Sequence, residues 1–432
     1  MNILHINTYD VGGGAARAAC RLHKGLRDIG LNSQMLVQEK HSDDKTIFAP
    51  ELRLFQGIAR TKLTFETLPL KLYPQRKNTG FYVQWLPDRV VPQVARINPD
   101  IINLHWFTAA FMQIETLAKL KRPLVWTLHD MWGFTGGCHV AGDCDRYKKS
   151  CGACPLLGST KEKDLSRWVW ERKAKAWKNL DLTLISPSAW LADCAKSSPL
   201  FENLRIEVIP HGLDTQKFRP INKNSVREIL NLPQDKKLIL FGAMSATSDK
   251  NKGFHLLQPA LQELSKSGNK DDYEVVIFGA NEPENPPDLG FKAHYVGRLN
   301  DDTSLVTLYS AADVMVVPSL QESFGQTASE SLASGTPVVA FNATGLRDIV
   351  DHEVNGYLAK PYEVEDLAKG ISWVIENAER HEKLSFYARE KVEREFTLEL
   401  QARRYSTLFQ EVIMANKKDE FQYQTDKLSI SM

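Results

Sequence analysis

Two carboxylates eight residues apart, Glu322 and Glu330, frame the segment Glu322-Ser-Phe-Gly-Gln-Thr-Ala-Ser-Glu330, with Gly335-Thr-Pro-Val-Val-Ala340 just beyond. Val314-Met-Val-Val-Pro-Ser319 is apolar, short and ended by Pro, the pattern of a buried strand. Helix signals begin near Gln326 and stop at Gly335, a suitable C′ residue, and Pro337 then enters the next strand. Glu322 is thus expected in the loop at a strand's carboxyl end, and Glu330 on the helix that follows. The helix start leaves the amides of Phe324, Gly325, Gln326 and Thr327 to meet an anion. A nucleoside diphosphate carrying a sugar, an anion with hydroxyls on both sides, suits such a site. The competing reading is a solvated Glu pair at any strand–helix junction.

Two further places carry chemistry. Gly12-Gly13-Gly14 follows the first strand and opens a helix, so its amides can approach a phosphate with no Cβ in the way. It lacks the spacing of a dinucleotide fingerprint, and a plain turn fits equally well. Cys138, Cys144, Cys151 and Cys154 fall as Cys-x5-Cys-x6-Cys-x2-Cys in a Gly-rich loop spanning 136–156. Four thiols there suit a structural zinc site, with His139 as a substitute ligand; free or disulfide-bonded cysteines and an iron–sulfur cluster are the alternatives. Cys20 and Cys194, on helices, read as small buried residues.

The elements that would position these residues alternate. Strands are expected at Asn2–Asn7, Gln34–Gln38, Ile101–Trp106, Leu124–Asp130, Leu182–Ser186 and Ile206–Pro210, with a helix over Ala15–Ile29. The pattern returns at Lys237–Gly242, Glu274–Gly279, Ala293–Val296, Val314–Pro318 and Pro337–Phe341. Strands separated by helices imply doubly wound parallel sheets with ligands beyond the carboxyl ends of the strands. A chain of 432 residues exceeds the usual single-core limit, so two domains follow. Hydrophobic content of 43%, charge of 25% and a net charge of +1 describe an ordinary globular chain with no field for nucleic acid. No apolar run approaches the roughly 20 residues of a membrane span. The N-terminus reads as a strand rather than a signal peptide, which points to the cytoplasm.

Glu-x7-Glu followed by a small-residue helix and Gly-Thr-Pro-Val-Val-Ala resembles the signature of family 4 retaining glycosyltransferases, over roughly residues 1–415. The resemblance implies the GT-B fold, two Rossmann-like domains facing a cleft. It implies an acceptor-binding domain over 1–211, a nucleotide-sugar domain over 212–397, a helix over 398–415 crossing back, and a flexible tail over 416–432. Pro210–Pro220 is similar to the family's hinge segment. Glu322 then lies against the transferred sugar, the Ser323–Thr327 loop holds the diphosphate, and Glu330 binds the ribose. His129, ending its strand within Trp-Thr-Leu-His-Asp, would touch the donor sugar; His105 is a lesser candidate. Asp130 would orient His129 or cap the next turn. Gly13 and Gly14 would contact donor phosphate or acceptor. Lys252-Gly253 matches the family's Lys-Gly, with Lys252 on the leaving diphosphate. Gly279 and the Gly297-Arg298 corner would hold the nucleobase. One departure matters: the family's Arg after the strand ending at Gly242 is replaced by Ala243-Met244, leaving Lys250 as the nearest second cation.

The implied reaction is glycosyl transfer with retention by front-face substitution, needing no metal for catalysis. Trp126–Cys138 and the cysteine loop resemble the colanic-acid branch, which implies exopolysaccharide synthesis on an undecaprenyl-diphosphate-linked acceptor at the inner membrane face. Basic and aromatic residues in 51–97 (Arg53, Arg60, Lys62, Lys71) and 165–179 (Trp168, Trp170, Lys173, Lys175) could make that contact, or could be ordinary amphipathic segments. A sugar-nucleotide epimerase of the same fold and an idle sugar-nucleotide sensor are the other function classes.

Overall fold

The computed structural model describes residues 1–49, 61–77, 80–266, 270–299 and 301–430, the side chains of 270 and 419–430 excepted. The chain forms two compact units, Met1–Ile209 with Gln401–Met432, and Pro210–Leu400. Each is built on a parallel sheet.

The first unit contains β1 (Asn2–Tyr9), β2 (Asn32–Glu39), β3 (Ile47–Phe48), β4 (Ile101–Leu104), β5 (Leu124–Thr127), β6 (Leu182–Ser186) and β7 (Arg205–Val208). Their order is β3-β2-β1-β4-β5-β6-β7, and every pair is parallel. The second unit contains β8 (Lys237–Gly242), β9 (Tyr273–Phe278), β10 (Lys292–Gly297), β11 (Val314–Val317), β12 (Val338–Phe341) and β13 (Gly356–Ala359). Their order is β10-β9-β8-β11-β12-β13, again all parallel. The α/β expectation of two doubly wound parallel sheets holds. Strand order reverses between β1 and β4 and between β8 and β11, and these are the places where such sheets open a crevice for ligands.

Burial explains why these segments are strands. Ile101, Ile102 and Leu104 of β4 and all four residues of β11 are covered on both faces, so their sequences run apolar instead of alternating. One face of the first sheet carries an aromatic cluster of Phe107, Trp126, Trp132, Trp177 and Phe201. The other carries Ile3, Val125 and Ile185 against Leu22 and Leu26 of the first helix, and against Tyr405, Leu408 and Phe409 of the last. That last helix runs Leu398–Ile430 and is continuous past Asn416, where the sequence reading expected a structureless tail. β3 and β13, both edge strands, are additions to the expected set.

Candidate functional site

In the second unit, Glu322 lies in the loop after β11 and Glu330 on the helix Gln326–Ala333. That helix ends as expected, with Ser334 as cap and Gly335 at φ +78°. The Lys252 ammonium meets Glu322 Oε1 at 2.7 Å, both half-buried. Burial acts to lower the Lys252 pKa, but Glu322 outweighs it and holds the ammonium above its ordinary value.

The two loops are joined by backbone. Leu320 N–H donates to Asn251 O at 2.9 Å, and Asn251 Nδ2 donates to Gln321 O at 2.8 Å. Gly253 sits at φ +75°, and a Cβ there would stand 1.8 Å from Pro318 O, so only glycine lets the Lys-Gly turn approach β11 this closely. Glu322 N–H donates to Thr344 Oγ1 at 3.1 Å, and Gly345 N–H donates to Glu322 O at 2.9 Å. Glu322 and Lys252 are therefore fixed at the carboxyl ends of β11 and β8, at the sheet's switch point.

The amides of Phe324, Gly325, Gln326 and Thr327 precede the first intrahelical bond, Ala328 N–H to Gly325 O. Phe324 itself is buried between His211 and Phe396, so its side chain anchors the loop and only its backbone can serve a ligand. Glu330 is 1% exposed and accepts from the Tyr309 hydroxyl at 3.0 Å. Gly279 donates its N–H to Gly297 O at 2.7 Å, and a Cβ on it would stand 1.8 Å from Ala243 O. The ends of β8, β9 and β10 thus close on one another beside Gly297. Arg298 is exposed, as are Met244 and Lys250.

In the first unit, Gly12 and Gly13 both adopt positive φ ahead of the helix Gly14–Asp28, beyond β1. His129 lies two residues beyond β5 and is half-buried. Its Nε2 is 2.9 Å from His105 Nδ1, and His105 Nε2 is 2.9 Å from His5 Nδ1. Burial pushes the His129 pKa down to about 4, against a smaller opposing pull from Asp130. Asp130 Oδ1 accepts from Trp132 N–H at 2.8 Å and Oδ2 meets His139 Nδ1, so Asp130 caps the following turn and pairs with His139. His105, His129, Asp130, Trp126 and Trp132 line one small cavity.

The sequence reading missed the polar row behind His129. Asn103 and His5 sit inside strands and Thr127 ends β5; all three are buried, and Tyr405 reaches Thr127 from the last helix. The available signal was His5 and Asn103 interrupting otherwise apolar strands.

Cys138, Cys144, Cys151 and Cys154 line one cavity with Phe81 and Tyr147, and all are free thiols. Gly136 N–H donates to Cys151 Sγ at 3.1 Å, and burial pushes the Cys138 and Cys151 pKa values up to about 12. Among the described residues, no three or more His, Cys, Asp or Glu side chains are gathered as a metal-holding group. Donor type and shared cavity fit zinc; the sulfur positions do not yet form its tetrahedron.

The basic helix Leu165–Trp177 packs inward. Lys173 is fully buried, donating to the Trp132 and Thr135 carbonyls and lying 3.6 Å over the Trp132 ring. Arg172 forms a two-pronged pair with Glu115, and Trp177 is buried, while Trp168 remains 44% exposed. Of the earlier basic segment, Arg53 and Arg60 lie outside the described residues. Lys62 and Arg76 donate to backbone carbonyls, and Phe65 and Leu72 are exposed. No described helix is long and apolar enough to cross a membrane.

Comparison with known proteins agrees with this architecture. Residues 12–217 match the model for "Glycosyltransferase Family 4", and residues 222–391 match that for "Glycosyl transferases group 1". A D-inositol 3-phosphate glycosyltransferase of Xylanimonas cellulosilytica is 36% identical over 170 residues, 36% of this chain and 39% of that protein. The matched stretch thus spans well under half of that relative. Sucrose-phosphate synthase from Thermosynechococcus elongatus superposes with a TM-score of 0.66 at 19% identity, over 96% of this chain and 100% of its own. Anabaena HepE, solved in complex with UDP-glucose, gives 0.64 at 17%, over 95% and 100%. These two likenesses concern the fold. With the two family models together covering residues 12–217 and 222–391 and both sheets in place, the chain belongs to the GT-B glycosyltransferases of family 4.

Proposed function

We propose that the protein transfers a sugar from a nucleoside-diphosphate donor to a saccharide hydroxyl with retention of anomeric configuration. The observation that carries this reading is the Lys252–Glu322 pair, held at the β8–β11 switch point in front of a helix N-terminus. An ammonium and a run of amides suit a diphosphate, and a carboxylate beside them suits sugar hydroxyls. As the sugar–phosphate bond breaks, negative charge grows on the leaving diphosphate, and Lys252 and the helix amides are placed to stabilise it. In this reading the leaving diphosphate takes the acceptor proton, and the acceptor enters on the same face. Glu322 serves the transferred sugar's hydroxyls, Glu330 the ribose, the Ser323–Thr327 amides the diphosphate, and Gly279, Gly297 and Arg298 the base. Gly13, Gly14 and His129 of the first unit serve donor phosphate or acceptor and the transferred sugar.

The finer assignment is to assembly of a bacterial cell-surface polysaccharide on a lipid-linked acceptor, in the manner of the colanic-acid branch. The exposed Trp168, Phe65 and Leu72 among lysines support peripheral membrane contact. We also propose that the four-cysteine loop closes on a structural zinc, which would draw the sulfurs together and leave catalysis metal-independent. Lys173 beside the loop supports this: burial pulls its pKa down to about 7, and thiolates at Cys151 and Cys138 would act to raise it and keep its charge. An idle sensor is the second reading, favoured by Ala243-Met244 where the family has Arg.

Thermal-shift screening of UDP-, GDP- and ADP-sugars tests donor binding, since a ligand at 100 times its dissociation constant adds about 2.7 kcal/mol. Product anomers are then read by NMR. Binding with turnover and a retained anomer is expected; binding with no turnover on any acceptor would favour the sensor.

A further inference from the structure

The buried row behind His129 has a direction. Thr127 Oγ1 is 3.0 Å from Asn103 Oδ1 and 3.1 Å from the Tyr405 hydroxyl. The Asn103 amide nitrogen is 3.1 Å from His105 Nε2 and 3.4 Å from His5 Nδ1. His5 Nδ1 and His105 Nε2 are 2.9 Å apart, and His105 Nδ1 and His129 Nε2 are 2.9 Å apart. Each hydroxyl and neutral imidazole has one donor, and Asn103 has an amide oxygen opposite its N–H groups. An unbroken row therefore has its protons pointing one way throughout.

Two arrangements run one way throughout. In one, Tyr405 O–H donates to Thr127, Thr127 O–H to Asn103 Oδ1, and Asn103 Nδ2 to His105 Nε2. His105 Nδ1–H then donates to His129 Nε2. In the other, the Asn103 amide is turned over and each bond reverses. A third arrangement, broken at His5, has Asn103 and His105 both donate to His5 Nδ1 and strands the His5 Nε2–H as a buried donor. The ends decide between them. Tyr405 is fully buried, and Thr127 is the only partner its hydroxyl has among the described residues. His5 Nε2 is buried with no partner. The reversed row strands two buried donors, the Tyr405 O–H and the His5 Nε2–H. The forward row strands one lone pair, on His5 Nε2. A buried donor left without an acceptor costs more than a buried lone pair left without a donor, so the forward row is preferred. Burial keeps His5 and His129 neutral, which the single-proton bookkeeping requires.

We propose that Tyr405, Thr127, Asn103 and His105 are positioning residues that fix His129 as its neutral Nδ1–H tautomer. His129 then presents a hydrogen-bond donor, without charge, at the end of β5. The last helix takes part through Tyr405, so that helix does more than cover the sheet. The functional part of this inference rests on the reading of His129 as the residue that meets the transferred sugar; the tautomer does not.

The test uses the full-length chain with ¹⁵N-labelled histidine and long-range ¹H–¹⁵N correlation. His129 is assigned by its loss in His129→Gln. Nδ1 of His129 is expected to show the protonated shift and Nε2 the bare one; the opposite pair would overturn the proposal. Tyr405→Phe and Thr127→Val should each mix the tautomers and lower kcat about two- to tenfold with the donor KM unchanged. Thr127→Ser, which keeps the hydroxyl, should restore both readouts. A pure Nδ1–H tautomer and full kcat in Tyr405→Phe would contradict the role of the row. Full turnover in His129→Gln with the tautomer as stated would instead sink the reading of His129 as a substrate residue.

Discussion

At Glu322 and Glu330 the same side chain type has two environments. Glu322 faces Lys252 in a half-buried loop, while Glu330 is enclosed and held by Tyr309. Glu322→Ala should therefore lower kcat with little change in donor affinity, because its sugar contact matters most at the reacting centre. Glu330→Gln, which keeps the volume, should raise the donor Kd roughly tenfold to a hundredfold through loss of a charged acceptor. Steady-state kinetics and calorimetry separate the two, and an unchanged kcat in Glu322→Ala would count against the site. The sequence made Glu322, Glu330 and the Gly335 stop legible because strand, turn and cap signals are local. It did not reveal that Phe324 is an anchor or that Lys173 is buried, since both depend on partners far along the chain, Phe396 for one and Trp132 for the other. Lys252 was legible only through resemblance. Its partner at 2.7 Å is seventy positions away.

Among the elements, the expected strands were read closely, the edge strands β7 and β10 included, while β3 and β13 at the other two edges were not read at all. β6 and β8 begin and end where the apolar runs do, because both faces are covered. β3 has two residues, too short for a period to register, and β13 opens on a glycine, a residue that reads as a breaker. The helix Leu165–Trp177 was legible as a helix but misleading as a surface. Its lysines and tryptophans look like a basic face, yet Lys173 and Trp177 point into the core. The cysteine loop beside it carries the zinc proposal. Elemental analysis of freshly purified protein should find about one zinc per chain, and chelation should leave nucleotide binding intact, since the second unit has its own cores. No stoichiometric metal would end that proposal.

For the whole molecule, acid should act first on the first unit, where burial lowers the pKa values of His5, His23 and His129, against that of His381 in the second. Burial holds His23 and His129 at about 4 in the fold, and His5 is lowered too. Unfolded, each titrates near about 6.5. Between those values the unfolded chain binds more protons, so stability is whole above about pH 6.5 and is lost as pH falls toward about 4. Eight of the nine tryptophans lie in the first unit, Trp373 being the exception, so fluorescence-monitored urea midpoints follow that unit. They should fall steadily over that range, and a flat profile would mean the histidines are not held neutral. If Lys252 and Glu322 mark a nucleoside-diphosphate site, calorimetry with UDP, GDP and ADP will register it. At least one should bind the native protein, and Lys252→Met should weaken that nucleotide roughly tenfold to a hundredfold, the worth of a charge-assisted contact. Equal affinity in the native protein and in Lys252→Met would contradict it.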